Sequence, residues 1–173
     1  MIVPGLVSVS FRKLNPHAIV NLVARSGVEA IEWGGDVHVP HGDTGVAQRV
    51  AQETRDAGLT CASYGSYYRL ACSGDDSPEF APVLDTAIAL GAPTVRVWAG
   101  NRGSADADDA WWAAVIDDAL VRTDMAADQG ITLAREFHPH TLTGTVEGTL
   151  RLLDAVDHAN FRTYWQPPTD KPS

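Results

Sequence analysis

The chain has 173 residues, 45% of them hydrophobic and 20% charged, which suits one packed globular domain over residues 1–173 and excludes a disordered chain. Its net charge of -9, from 22 acidic against 13 basic residues, speaks against a nucleic-acid partner or an anionic membrane surface, both of which are gripped by basic patches. No apolar run approaches the ~20 residues of a membrane span, the N-terminal MIVPGLVSVSFRK has no basic lead, and Cys61 and Cys72 form no CxxC pair, so a cytoplasmic enzyme is expected.

In chain order, a first strand is predicted at Leu6–Ser10. Asn15-Pro16 then sets a capping side chain before a proline, opening a helix over Pro16–Ser26 with Ile19, Leu22 and Val23 on one face. Gly27 stops that helix, and a strand follows at Glu29–Trp33. A helix over Gly45–Ala57 and a strand over Thr60–Tyr64 repeat the unit across Gly58. Ser77-Pro78 opens the next helix, Pro78–Leu90, whose apolar face is Phe80, Val83, Leu84, Ala87 and Ile88; strand Thr94–Trp98 follows Gly91. The Asp106–Asp109 run suits the positive end of a helix over Asp108–Gln129, in which Trp111-Trp112 read as packing residues. Strand Thr132–Phe137, helix Thr145–Val156 and strand Phe161–Gln166 complete the series.

Strict alternation of strands with helices means a parallel sheet with right-handed crossovers. A doubly wound nucleotide-binding sheet would carry a glycine-rich loop after its first strand, but Ser10-Phe11-Arg12-Lys13-Leu14-Asn15 contains no glycine. A barrel of eight βα units takes about 250 residues, roughly 31 per unit. The expected fold is therefore an α/β TIM barrel, incomplete, with about six of its eight units, strand order 1-2-3-4-5-6 and helices on the outer face. Strands one and six would then be open edges through which the chain could self-associate.

Active sites of such barrels gather where strands end. The strand ends here carry Phe11-Arg12, Glu32-Trp33-Gly34-Gly35-Asp36, Tyr64-Gly65-Ser66-Tyr67-Tyr68, Trp98-Ala99-Gly100, Glu136-Phe137-His138 and Trp165-Gln166. Aromatic faces with a few carboxylates suit a small polyhydroxylated ligand: rings pack its C–H surface and carboxylates take its hydroxyls or a cation.

Through AIEWGGDVHVP, ASYGSYYRL, LGAPTVRVWAG, LAREFHPHTLTGT and YWQPP the sequence resembles the sugar phosphate isomerases/epimerases with xylose-isomerase-like barrels. The resemblance implies proton transfer next to a sugar carbonyl through an enediolate, with Mn²⁺ or Mg²⁺ held by acidic and His residues of the later strands. Glu136 matches the family's first metal ligand and is the candidate catalytic residue, against a plain ion-paired carboxylate at a strand end. Gln166 stands where the family more often has an aspartate ligand, and brings an oxygen without charge. Arg12, Glu32, His38, Tyr64, Trp98 and His138 are the candidate contacts to a sugar or sugar phosphate. For Glu32 a structural carboxylate, and for Tyr64 and Trp98 barrel filling, are competing readings. Arg135 shares parity with Leu133, so either its stem reaches outward past the helices or the strand is irregular. The family's remaining ligands, a His and a Glu, belong to a seventh and an eighth strand, so the chain is expected to be C-terminally truncated and a poor catalyst alone. A non-catalytic sugar-binding or interaction protein derived from the same barrel is the alternative.

Overall fold

A computed structural model describes residues 2–74 and 77–166; Pro167, Pro168 and the terminal Thr169–Ser173 segment lie outside the described residues. Six parallel strands form one sheet in the order β1-β2-β3-β4-β5-β6: β1 (Gly5–Val7), β2 (Ala30–Gly34), β3 (Thr60–Arg69), β4 (Thr94–Trp98), β5 (Thr132–Glu136) and β6 (Phe161–Tyr164). Helices α1 (Pro16–Ala24), α2 (Thr44–Asp56), α3 (Phe80–Leu90), α4 (Asp109–Ala127) and α5 (Val146–Val156) make the crossovers. Sequential order with no reversal is the barrel topology and not the doubly wound one.

Local chemistry explains most boundaries. The side chain of Asn15 accepts the Ala18 N–H and caps α1, while Asp43, Asp108 and Thr145 do the same for α2, α4 and α5. Gly91, at φ 70°, closes α3 in the left-handed conformation that a β-carbon disfavours. The start of α3 differs from expectation: its N-cap is Glu79 without a side-chain bond, and Ser77 turns away to accept the Arg69 N–H at 3.0 Å. The first strand is also shorter than expected, because Ser8–Phe11 winds into a 3₁₀ turn. Strand β3 runs longer, to Arg69, with Tyr67 at φ 59°.

Alternation divides the sheet. Ile31, Trp33, Tyr64, Val95, Val97, Leu133 and Phe161 pack outward against Val20, Val23, Val50, Val83, Leu84, Val115 and Leu152 of the helices. Arg135 shares that outward parity, yet neither expectation for it holds. It stays wholly buried, donating from Nη1 to Arg162 O at 2.8 Å and from Nη2 to Thr149 O at 3.3 Å, with its guanidinium 5.5 Å from the Phe161 ring centroid. Burial pulls its pKa down to about 10. Among the described residues no helix is long and apolar enough to cross a membrane.

Candidate active site

The inward residues are of another kind. At the C-terminal ends of the strands they wall a cavity of about 390 Å³, with Glu32, Arg96 and Glu136 at its base and Tyr67, Trp98, His138, Tyr164 and Gln166 around it. Arg96 stands in the middle of the sheet, 5% exposed, and joins two carboxylates. Its Nε donates to Glu32 Oε1 at 3.1 Å and its Nη1 donates to Glu136 Oε2. Burial works to lower the Arg96 pKa, but Glu32 and Glu136 outweigh it and the guanidinium is held above its ordinary value. Nη2 makes no hydrogen bond to a described residue and lies where a β-carbon on Gly65 would come within 2.6 Å of it. Glycine at 65 is what admits the guanidinium.

Each carboxylate has further donors. Glu32 Oε2 accepts from Ser63 Oγ at 2.7 Å and from Tyr164 Oη at 2.6 Å; burial, followed by the charge of Glu32, lifts the Tyr164 phenol to about 12. Glu136 accepts from Trp98 Nε1 at 2.5 Å and from the side-chain amide of Gln166. Trp98 is surrounded by Arg69, whose guanidinium lies 4.1 Å from its ring centroid, and by the rings of His138 at 4.7 Å and Tyr67 at 5.2 Å. His138 Nδ1 lies 2.7 Å from Pro139 O. A carbonyl can only accept, so Nδ1 carries a proton, and whenever the ring has a single proton its lone pair is on Nε2.

Of the expected contacts, Glu32, Trp98, Glu136, His138 and Gln166 meet at this cavity. Tyr64 is a correction: it faces the helices, donating from Oη to Val39 O at 2.8 Å, 2.7 Å from His41 Nδ1. The register shift between Ile31 and Glu32 pairs Glu32 with Ser63, which sends Ser63 and Gly65 inward and Tyr64 outward. Burial raises the Tyr64 phenol and lowers the His41 imidazole. His38 is a second correction. The chain turns back after β2, with the N–H groups of His38 and Val39 on Gly34 O, and tucks the ring under the β1–α1 loop. Arg12 stands outside the cavity at its rim, with Nη1 2.5 Å from Asp36 Oδ2 and Nη2 3.2 Å from Tyr67 Oη.

Arg96, Tyr67, Ser63 and Tyr164 were not among the expected site residues. Arg96 had a legible signal, since it shares strand parity with Trp98 and an inward arginine at the heart of a sheet needs carboxylates to face it. Ser63 depends on the β2/β3 register shift and Tyr67 on its left-handed backbone, which the sequence does not announce, whereas Tyr164 shares strand parity with Gln166.

A family model described as a xylose isomerase-like TIM barrel matches residues 20–168. A 3-dehydroshikimate dehydratase of Bacillus anthracis is 26% identical over 167 residues, covering 91% of this chain and 59% of that protein. The solved structure of a probable 3-DHS dehydratase from the same organism superposes with a TM-score of 0.80 at 24% identity, covering 95% of this chain and 62% of that one. A D-psicose 3-epimerase solved in the presence of D-fructose gives 0.71 at 17% identity, covering 95% and 63%. A Mycobacterium smegmatis barrel protein solved in complex with magnesium gives 0.72 at 17%, covering 94% and 65%. The chain thus spans about three fifths of the length of the relatives it matches.

Among the described residues no group of three or more His, Cys, Asp and Glu side chains converges as a metal cage would. Glu136 and Gln166 do meet, and a carboxylate beside an amide is a pair of hard donors suited to Mg²⁺ or Mn²⁺ once the amide presents its oxygen. The pair fits as part of a donor set.

Proposed function

The chain belongs to the xylose isomerase-like TIM barrel family, and on that premise we propose that its pocket serves a cytoplasmic, metal-dependent isomerase or epimerase of sugars or sugar phosphates that moves a proton next to a carbonyl through an enediolate. The observation that carries this reading is the buried Arg96, fixed by Glu32 and Glu136 with Nη2 left unbonded among the described residues. Removing a proton beside a carbonyl puts negative charge on its oxygen, and N–H donors already in place where that charge develops lower the barrier. Two carboxylates hold Arg96 so that it need not reorganise when the charge appears.

Proton transfer needs an acceptor at the same cavity. His138 has Nδ1 engaged by Pro139 O, which leaves Nε2 as the ring nitrogen available to take a proton. Glu136, the carboxylate around which the corner is built, orients Arg96, Trp98 and Gln166. The faces of Tyr67 and Trp98 would pack the C–H side of the sugar. Mn²⁺ or Mg²⁺, held by Glu136 and Gln166, would supply further positive charge at the carbonyl oxygen when bound. One carboxylate and one neutral amide bind such an ion weakly by themselves.

The 26% identical dehydratase favours a second reading of the same pocket, loss of water from a hydroxyketone. Dehydration and epimerisation beside a ketone share their first step. The test therefore reads that step: exchange of the substrate's α-hydrogen with D₂O, followed by NMR, over a panel of ketoses, their phosphates and 3-dehydroshikimate, with and without Mn²⁺. Exchange that is slow from this chain alone, needs Mn²⁺ and is lost in Glu136→Gln and Arg96→Met is expected. Saturable sugar binding with no exchange under any condition would overturn the enzymatic reading in favour of a sugar-binding protein.

A further inference from the structure

The loop that leaves β1 is fastened by two devices that share no residue. One is exposed: Arg12 reaches Asp36 and the hydroxyl of Tyr67. The other is buried. Ser8, with no exposed surface, receives the Gly34 N–H on Oγ at 2.9 Å and lies 3.0 Å from His38 Nδ1; on the far side of the ring, His38 Nε2 lies 3.2 Å from Leu14 O. Ser8 and Leu14 bracket the loop, and the imidazole spans them.

The proton positions follow from the partners. Leu14 O can only accept, so Nε2 carries a proton. Ser8 Oγ already accepts from Gly34, and the free place for its own proton is the lone pair on Nδ1. Every polar atom in the chain Gly34–Ser8–His38–Leu14 is satisfied by a neutral imidazole and by one tautomer only. A second ring proton on Nδ1 would face an oxygen whose hydrogen then has no acceptor in a buried place, which is a costly arrangement.

We propose that His38 is a proton-operated latch on the β1–α1 loop: neutral, it clamps Ser8 to Leu14, and protonated, it releases the loop and with it the wall that Val9 gives the pocket and the brace that Arg12 gives Tyr67. Val9 lines the cavity and is packed so closely on Gly34 that a β-carbon there would lie 2.4 Å from Val9 Cγ1. Arg12 braces Tyr67, whose ring lies 5.3 Å from the Arg96 guanidinium carbon. A shift of the loop is therefore felt at the pocket whatever ligand the pocket takes.

Burial lowers the His38 pKa, and the hydrogen bonds to Leu14 and Phe11 offset part of that. The ionisable groups that face the ring are Asp36, on its own loop, which favours the imidazolium, and Arg12, on the β1–α1 loop, which opposes it. The remaining neighbours are neutral: the edge of Trp33 at 6.2 Å and the backbone of β2 and the 3₁₀ turn. Since the unfolded imidazole titrates near 6.5 and the folded one lower, the clamp is complete above about pH 6.5 and is lost on acidification below it.

The test is amide hydrogen exchange of the full chain, corrected for the intrinsic pH dependence of exchange, at pH values from 7.5 down to 5. Residues 9–14 should exchange roughly five- to tenfold faster at the acid end, the size that losing one buried hydrogen bond carries, while α4 stays level. In His38→Asn, which keeps an amide and cannot take a proton, the acid step should vanish. Ser8→Ala should leave the loop fast at both ends of the range, and it serves if the asparagine variant does not fold. Corrected exchange of residues 9–14 that is flat with pH in the unmodified chain, or an acid step that persists in His38→Asn, would overturn the proposal. Neither result depends on what the pocket binds.

Discussion

Tyr164 on β6 donates its hydroxyl to Glu32 on β2, 2.6 Å away and 132 residues earlier in the chain. The bond crosses the concave side of the sheet between strands that are four places apart in the sheet order. An edge strand is ordinarily held by one neighbour alone; β6 is also tied to the front of the sheet through a buried carboxylate. That tie keeps the sheet curled and keeps Glu32 turned toward Arg96. Tyr164→Phe deletes one of the three donors that Glu32 has among the described residues and preserves the ring. It should cost about 1–2 kcal/mol of stability, since a half-buried bond to a charged acceptor lies at the lower part of its range. Urea unfolding with an unchanged midpoint would show that the contact carries nothing.

Arg96→Met should be far more damaging. The guanidinium is buried and is the counter-ion that two carboxylates share, so its loss leaves Glu32 and Glu136 facing each other without a cation. Breaking a buried ion pair by removing one partner costs about 3–5 kcal/mol. The deficit should shrink at lower pH, because one proton shared between the two carboxylates relieves the repulsion. Denaturation curves for the variant and the parent at pH 7.5 and pH 5 measure this. A deficit that grows on acidification would contradict the assignment of Arg96 as the common counter-ion.

Gly148→Ala separates intrinsic helix preference from packing. Alanine favours a helix interior over glycine by up to about 1 kcal/mol. Yet a β-carbon at 148, in the first turn of α5, would stand 2.1 Å from the backbone carbonyl of Leu142. The loop and the helix must part to admit it. A net loss of roughly 1–3 kcal/mol is expected in thermal or chemical unfolding; a gain would mean that α5 shifts at no cost.

His41 predicts how stability responds to pH. Burial holds its imidazole below the ordinary value near 6.5, with Asp36 pulling the other way. As the pH falls, the unfolded chain takes up its proton first, so stability is complete above about pH 6.5 and declines below it, by at most about 1.4 kcal/mol per pH unit for each such histidine. Unfolding midpoints should drop between pH 7 and pH 5.5, and His41→Gln should flatten part of that slope. A midpoint that rises over the same interval would reverse the sign.

The sheet order and most element boundaries were legible because helix stops are written in glycines such as Gly91 and starts in caps such as Asn15-Pro16. Those are local rules, satisfied by neighbours a few residues away. The site was legible only where strand parity is regular: Glu136, Trp98 and Gln166 were expected at one place and meet there. Tyr64, expected at the pocket only as the end of its predicted strand, faces the helices instead, because the register against β2 shifts by one residue beside Glu32. His38 is drawn away from the cavity by its partners, Ser8 and Leu14, which come from a loop whose path no local pattern encodes. The 3₁₀ turn that begins at Ser8 replaces the end of the predicted first strand and brings both partners to the ring.

The alternation along β2, β4 and β5 has an evolutionary reading. Ile31, Val95 and Leu133 are sealed under the helices, while Glu32, Arg96 and Glu136 look into the cavity. Neighbouring codons thus answer to different selection: one set is judged by whether the chain folds, the next by what the cavity accepts. Drift in the inward set can explore new ligands without unseating the helices, provided that the charge of Arg96 stays matched. A deep mutational scan of β4 should accordingly oscillate with period two, abundance falling for changes at Val95 and Val97 and ligand handling changing at Trp98. Position 96 would be penalised on both counts, so that on β4 this arginine is where the freedom of the inner face runs out.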